Sequence, residues 1–140
     1  MKIMKKYENN YKHSELTKTI IAEAYQVHNS LVYGFLEKIY ENALFKRLSD
    51  ANMIVKQQIP INVYFEGIII GEFYAHLFVE AKIIVELKAV EVVIPVHTAQ
   101  LLSYLKLTKK PKGLLINFNC ENITDNLVPL VTEEFAKLPY

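Results

Sequence analysis

Apolar residues recur at Leu16, Ile20, Ala24, Val27 and Leu31, a spacing near 3.6 that predicts an amphipathic helix over about 15–30 with Ser14 as its N-cap. A second helical stretch follows, in which Phe35, Leu36, Ile39, Tyr40, Ala43, Leu44 and Leu48 keep the same period. It ends where Ser49–Asn52 gathers polar turn formers. The period then changes to two: Ile59, Ile61, Val63 and Phe65 alternate with polar residues, Glu66–Gly67 reads as a turn, and Ile68–Val79 reads as the returning strand of a hairpin. Gly71 marks a candidate bulge in that strand. A short turn at Glu80–Ala81 leads into a β-branched strand over 82–88, Pro95 opens a third helix running to about Leu107, Lys109–Lys112 reads as a basic loop, and Gly113–Asn119 is a last strand. The order is ααβββαβ, with residues 1–13 read as an N-terminal arm, 14–120 as one domain, and 121–140 as a tail that covers an edge or packs loosely.

Composition narrows the class. Of 140 residues, 51% are hydrophobic and 22% charged, enough apolar material for one packed core and too much for a disordered chain. No apolar run approaches the roughly 20 residues that span a bilayer, so no membrane partner is expected. Cys120 is the single thiol, which excludes an internal disulfide or a thiolate metal cluster and fits a reducing, cytoplasmic setting. A net charge of +1 gives no global attraction to nucleic acid, so such binding needs a local basic face. Lys106, Lys109, Lys110 and Lys112 are the candidates for one, against the alternative of a solvated loop.

The most informative segment is Ile83-Ile84-Val85-Glu86-Leu87-Lys88, where two charges close an otherwise apolar strand. Residues two apart share a strand face, so Glu86 and Lys88 project together, and pairing with the preceding strand brings His76 near Glu86. A carboxylate, an imidazole and an ammonium in one place can hold a divalent metal, activate water and steady a phosphate. On spacing alone the same pair reads as a solvated ion pair at a strand end, His76 as a half-buried histidine bonded to backbone, and Gln100 as a surface residue. His28 and His97 fall at a helix end and a helix start, where a structural hydrogen bond is the expectation.

The order of Val27-His28, Gly34-Phe35-Leu36-Glu37, Gly71-Glu72, Val85-Glu86-Leu87-Lys88-Ala89-Val90, Pro95-Val96-His97, Ala99-Gln100-Leu101-Leu102-Ser103-Tyr104-Leu105 and Leu114-Leu115-Ile116-Asn117-Phe118-Asn119 resembles the GxxExxxR protein family, a branch of the PD-(D/E)XK nuclease superfamily. The resemblance covers about residues 14–120. It implies an α/β (α+β) restriction-endonuclease-like core, a mixed β-sheet flanked by helices, with a Mg²⁺ or Mn²⁺ site. The implied metal ligands are Glu86, the Leu87 carbonyl, the residue at position 76 and Glu37. Lys88 is the implied catalytic cation, and Gln100 the helix glutamine beside the site.

Two positions depart from the family pattern. His76 stands where the family has Asp, which favours Mn²⁺ over Mg²⁺ because imidazole is a softer ligand than carboxylate. Glu41 stands where the family name has Arg, and Val32-Tyr33 replaces the usual Gly-Pro. Glu72 shares the parity of His76 and is a stand-in acid by position. The resulting expectation is a metal-dependent nuclease with an altered site acting on nucleic acid, DNA before RNA. The alternatives are a degenerate nuclease-fold module that binds nucleic acid or a protein partner, and a structural homodimer subunit.

Overall fold

The computed structural model of the chain describes residues 2–3, 14–109 and 112–131. Its elements are β1 (Lys2–Ile3), α1 (Ser14–Leu31), α2 (Glu37–Asp50), β2 (Val55–Phe65), β3 (Ile68–Val79), β4 (Ile83–Lys88), α3 (Pro95–Thr108), β5 (Lys112–Asn117), a 3-10 turn (Ile123–Asn126) and β6 (Leu127–Val131). The strands form one mixed sheet in the order β1-β6-β5-β4-β3-β2. Only β4 and β5 run parallel, joined by the α3 crossover, and every other pairing is antiparallel. This is the α+β architecture expected, enlarged by two strands.

Side-chain parity sorts the core into two layers. Ile83, Val85 and Leu87 of β4, with Leu114 and Ile116 of β5, face α1 and α2 and pack against Ile20, Ala24, Val27, Tyr40, Leu44 and Leu48. Ile84 and Leu115 face the other way and meet Leu101 and Leu105 of α3. Both faces of β4 and β5 are covered, so both strands read as continuous apolar runs rather than alternations. α3 lies very close to the sheet. A methyl group built on Gly113 meets Leu101 Cδ1 at 2.9 Å and Cγ at 3.0 Å. Gly113→Ala should therefore cost about 1–3 kcal/mol by overpacking, read as a lower urea midpoint at unchanged slope. An unchanged midpoint would mean that Leu101 yields freely.

Several expectations need adjustment. The second helix starts at Glu37 rather than Phe35, and Phe35 and Leu36 lie exposed ahead of it. The bulge sits beside Gly71 rather than on it: Gly71 pairs with Val63, Ile69 with Tyr64, and Ile70 is the extra residue. The segment after 120 adds β6 along β5, and Lys2–Ile3 adds β1 along β6, while residues 4–13 and 132–140 lie outside the described residues. Lys112 is not in a loop. It is the fully buried first residue of β5, opposite Ile83, and burial pushes its ammonium down to about 8. Lys110 falls outside the described residues.

Candidate functional site

The β3–β4 ladder is short. Its regular pairs are Val79 with Ile83, Phe78 with Ile84 and Leu77 with Val85, and beyond them the long β2–β3 hairpin peels away from β4. The fork begins where His76 faces Glu86. There the backbone N–H of Leu87 donates to His76 Nδ1 at 2.9 Å in place of a strand carbonyl, and the N–H of His76 donates to Glu86 Oε1 at 3.3 Å. A side chain thus takes over the bonding that a ladder would otherwise supply.

Glu37 arrives from above the fork. The α1–α2 connection turns through Val32 and Gly34 at φ 62° and 113°, the second of which suits glycine alone. Tyr40 pins this turn: its buried ring stacks on Phe118 at 4.8 Å, its hydroxyl donates to Val32 O at 2.7 Å, and Phe35 N–H donates to that hydroxyl. Glu37 is the first residue of α2, and its Oε1 lies 3.1 Å from His76 Nε2. Glu86 Oε2 lies 3.4 Å from the other ring nitrogen, Nδ1. The imidazole therefore stands between two carboxylates.

Electrostatics follow from that placement. Burial, only partly offset by His76 and Lys88, pushes the Glu86 carboxyl up to about 7. Burial works against a charged His76, but the hydrogen bond to Glu37 and the charges of Glu86, Glu37 and Glu41 outweigh it and raise its pKa. Glu37 is also opposed by burial, and the His76 bond and charge, with Lys88 and His97, bring it below the usual carboxylate range. Tyr104, stacked on Phe73 at 3.7 Å, is raised by burial and by the Glu86 charge.

The signs give a pH dependence. Between its ordinary 4.5 and about 7, Glu86 binds more protons folded than unfolded, so stability falls as pH rises through that window. The His76 contribution is fully present below 6.5 and is lost as pH rises through its raised folded value. The Glu37 contribution is lost only on acidification below 4.5. The thermal midpoint should fall by a few degrees from mildly acidic to mildly alkaline buffer, and Glu86→Gln should flatten the profile and raise the alkaline midpoint. A wild-type midpoint that climbs with pH would contradict this assignment.

The other candidates separate. Lys88, half-buried at the end of β4, acts electrostatically on both Glu37 and Glu86. Leu87 is buried in the α1/α2 layer and joins the cluster through its backbone N–H. Gln100 is exposed on α3, and among the described contacts none ties it to the cluster. Lys106 and Lys109 are exposed at the far end of α3, about 20 Å along the helix from its start near Lys88, and the crossover returns that end to the beginning of β5. The lysines and the carboxylates therefore occupy opposite ends of the parallel strands. Glu72 accepts from Tyr74 OH at 2.7 Å on the exposed hairpin, away from His76. His28 Nε2 meets Cys120 O at 2.6 Å, and His97 Nδ1 accepts from Ile94 N–H at the start of α3.

Residues 14–128 match the family model described as the PD-(D/E)XK nuclease superfamily. The chain belongs to that superfamily. Comparison with curated proteins and with solved structures gave no significant match. Membership of this PD-(D/E)XK superfamily suggests a nuclease-type function. Among the described residues no helix is long and apolar enough to cross a membrane.

PD-(D/E)XK nucleases typically use divalent metals, so the fit of such an ion can be tested on the donors present. As folded they do not fit. Among the described residues no group of three or more His, Cys, Asp or Glu side chains is arranged to hold a metal ion, and both ring nitrogens of His76 are already engaged.

Proposed function

We propose that this chain is a nuclease-type protein of the GxxExxxR-like branch that engages the phosphodiester backbone of nucleic acid at the Glu37, His76, Glu86 and Lys88 face, with hydrolysis reduced by the histidine at position 76. The observation that carries the reading is the pair Glu86 and Lys88, two residues apart at the end of a strand buried on both faces, where the hairpin forks open. Lys88 is the group suited to a phosphate oxygen and to charge that develops on phosphorus. Glu86, with its carboxyl near neutrality, is suited to accept a proton from water. DNA is the first substrate class to probe and RNA the second.

A fully active metallonuclease preferring Mn²⁺ is the competing reading, favoured by Glu37, Glu86 and Lys88 all converging on one face. The test is binding and cleavage of single- and double-stranded DNA and RNA, with and without Mn²⁺ or Mg²⁺. Lys88→Ala should weaken binding roughly tenfold and reduce the salt slope by about one contact. Equal affinity in wild type and Lys88→Ala would sink the proposed face. Mn²⁺-supported cleavage that vanishes in Glu86→Gln would establish the competing reading instead.

A further inference from the structure

We infer that His76 is the resident bridge of this site: its ring fills the gap between Glu37 and Glu86 and satisfies both, so the folded chain takes up no divalent metal there until that residue is replaced. The inference rests on the reading that this face is the functional one. Imidazole ligates a metal through a ring lone pair, and His76 has none to give in either protonation state. When neutral, its lone pair is on Nδ1, where the Leu87 N–H donates at 2.9 Å, and its single N–H is on Nε2, 3.1 Å from Glu37 Oε1. When protonated, both nitrogens carry hydrogen and no lone pair remains: Nε2 faces Glu37, Nδ1 turns to Glu86 Oε2 at 3.4 Å, and the Leu87 N–H gives up its acceptor.

The two acids sit on opposite edges of the ring, so a single ion cannot take both of them together with the histidine as they stand. The described residues accordingly contain no three-ligand arrangement. Removing the ring has two consequences that pull toward a cation. Glu37 and Glu86 lose the charge between them, and space opens at the fork. An aspartate at position 76 adds a third oxygen donor, the type that Mg²⁺ and Mn²⁺ accept.

The experiment titrates Mn²⁺ and Mg²⁺ into wild type, His76→Ala and His76→Asp, reading heat of binding and the thermal midpoint, with circular dichroism to confirm folding. Imidazole ¹⁵N spectra of the wild type supply a measurement that needs no variant. Expected are a wild-type midpoint indifferent to either ion, His76 ¹⁵N signals unbroadened by Mn²⁺, and a metal-dependent rise in midpoint in His76→Asp. Stoichiometric Mn²⁺ binding by the wild type with selective loss of the His76 signals would overturn the inference. So would a folded His76→Asp that ignores both ions. A wild type that ignores metal and also fails to bind nucleic acid removes the proposed function and leaves the bridge standing.

A different surface carries a second inference independently. Tyr64, Phe65, Ile68, Ile69 and Ile70, at the tip of the β2–β3 hairpin, are each 53–67% exposed, on both faces of the arm. Summed over both faces they leave on the order of 600 Å² of apolar side chain in water, at the upper end for a monomer and approaching the ~800 Å² each partner contributes to a standard interface only if a partner clasps the arm on both faces. Between Gln57 and Gly71 the only charge is Glu66, so the arm does not attract phosphate, and a copy of itself meets one carboxylate, in the exposed turn where water screens it. The geometry points to a second copy of this chain, the two arms packing their apolar tips about a two-fold axis.

Analytical ultracentrifugation of the full chain across the micromolar range should show a dimer that Phe65→Glu with Ile69→Lys converts to a folded monomer. A wild type that stays monomeric throughout would overturn this, as would a dimer that survives the double substitution.

Discussion

Asn117→Ala is expected to destabilise the protein by about 3–4 kcal/mol, lowering the thermal midpoint by roughly 10 °C. Asn117 is fully buried at the end of β5 and uses both ends of its amide. Its Oδ1 accepts from Val90 N–H at 3.1 Å and Asn119 N–H at 3.2 Å, and its Nδ2 donates to Val90 O at 2.8 Å and Asn126 Oδ1 at 3.3 Å. Those bonds fasten the segment that leaves Lys88 to the strand beside it. Truncation takes the Asn117 partner from both polar groups of half-buried Val90 and leaves the remaining donors and acceptors around a fully buried position unpaired, and it frees the backbone just past the site. Asn117→Asp should be worse, because a carboxylate oxygen would then face Val90 O and Asn126 Oδ1. Chemical unfolding measures both. A loss under about 1 kcal/mol for Asn117→Ala would show that this clamp is dispensable.

Glu41→Ala should cost about 2–4 kcal/mol and disturb the site as well. The Glu41 side chain is only 2% exposed, an uncommon setting for a carboxylate, and three donors account for it: Lys38 Nζ at 2.9 Å, Gln57 Nε2 at 2.8 Å and Gln58 Nε2 at 2.8 Å. Gln58 falls between the pairs Gln57–Leu77 and Ile59–Ala75, at the skipped position of the β2–β3 ladder that also holds His76, and has φ 53°, a left-handed conformation inside a strand. Glu41 therefore holds α2 against the strained part of the hairpin, and through it sets the distance between Glu37 and His76. Glu41→Gln keeps the shape but turns an amide toward donors, so it should recover less than half of the loss. Urea midpoints report the stability, and the His76 imidazole chemical shift reports the site. If that shift is unmoved in a folded Glu41→Ala, the positioning role fails and only the structural one remains.

How far the sequence leads can be judged residue by residue. The convergence of His76 on Glu86 was legible because strand parity and a short turn leave few registers, and the turn at Glu80–Ala81 takes two left-handed residues to fix one of them. Glu37 became legible only through resemblance, since nothing in a helix period says that its first residue reaches a strand two elements away. The sequence marks Glu41 only as the residue standing where the family name has Arg, and nothing in it singles out Gln57 or Gln58. Polar residues that satisfy one another in the interior look, in one dimension, like residues that face water. Lys112 misled for the complementary reason: a lysine beside other lysines suggests a loop, while this one is fully buried as the first residue of β5. β6 was missed because Pro129 interrupts Leu127–Val131, and a proline demotes a strand in any local reading.

That proline has a use that the local reading hides. β6 lies along the whole outer side of β5, from Ile116 opposite Leu127 to Lys112 opposite Val131, while β1 covers β6 only at Leu130 and Val131. Without β6, β5 would present a flat apolar row of unpaired amides, the kind of template on which chains polymerise. β6 closes that row, β1 pairs with its Leu130 and Val131, and Pro129, opposite Leu114, has no N–H to offer a further strand. Local opening of β6, rather than global unfolding, is thus the event through which this chain would begin to aggregate.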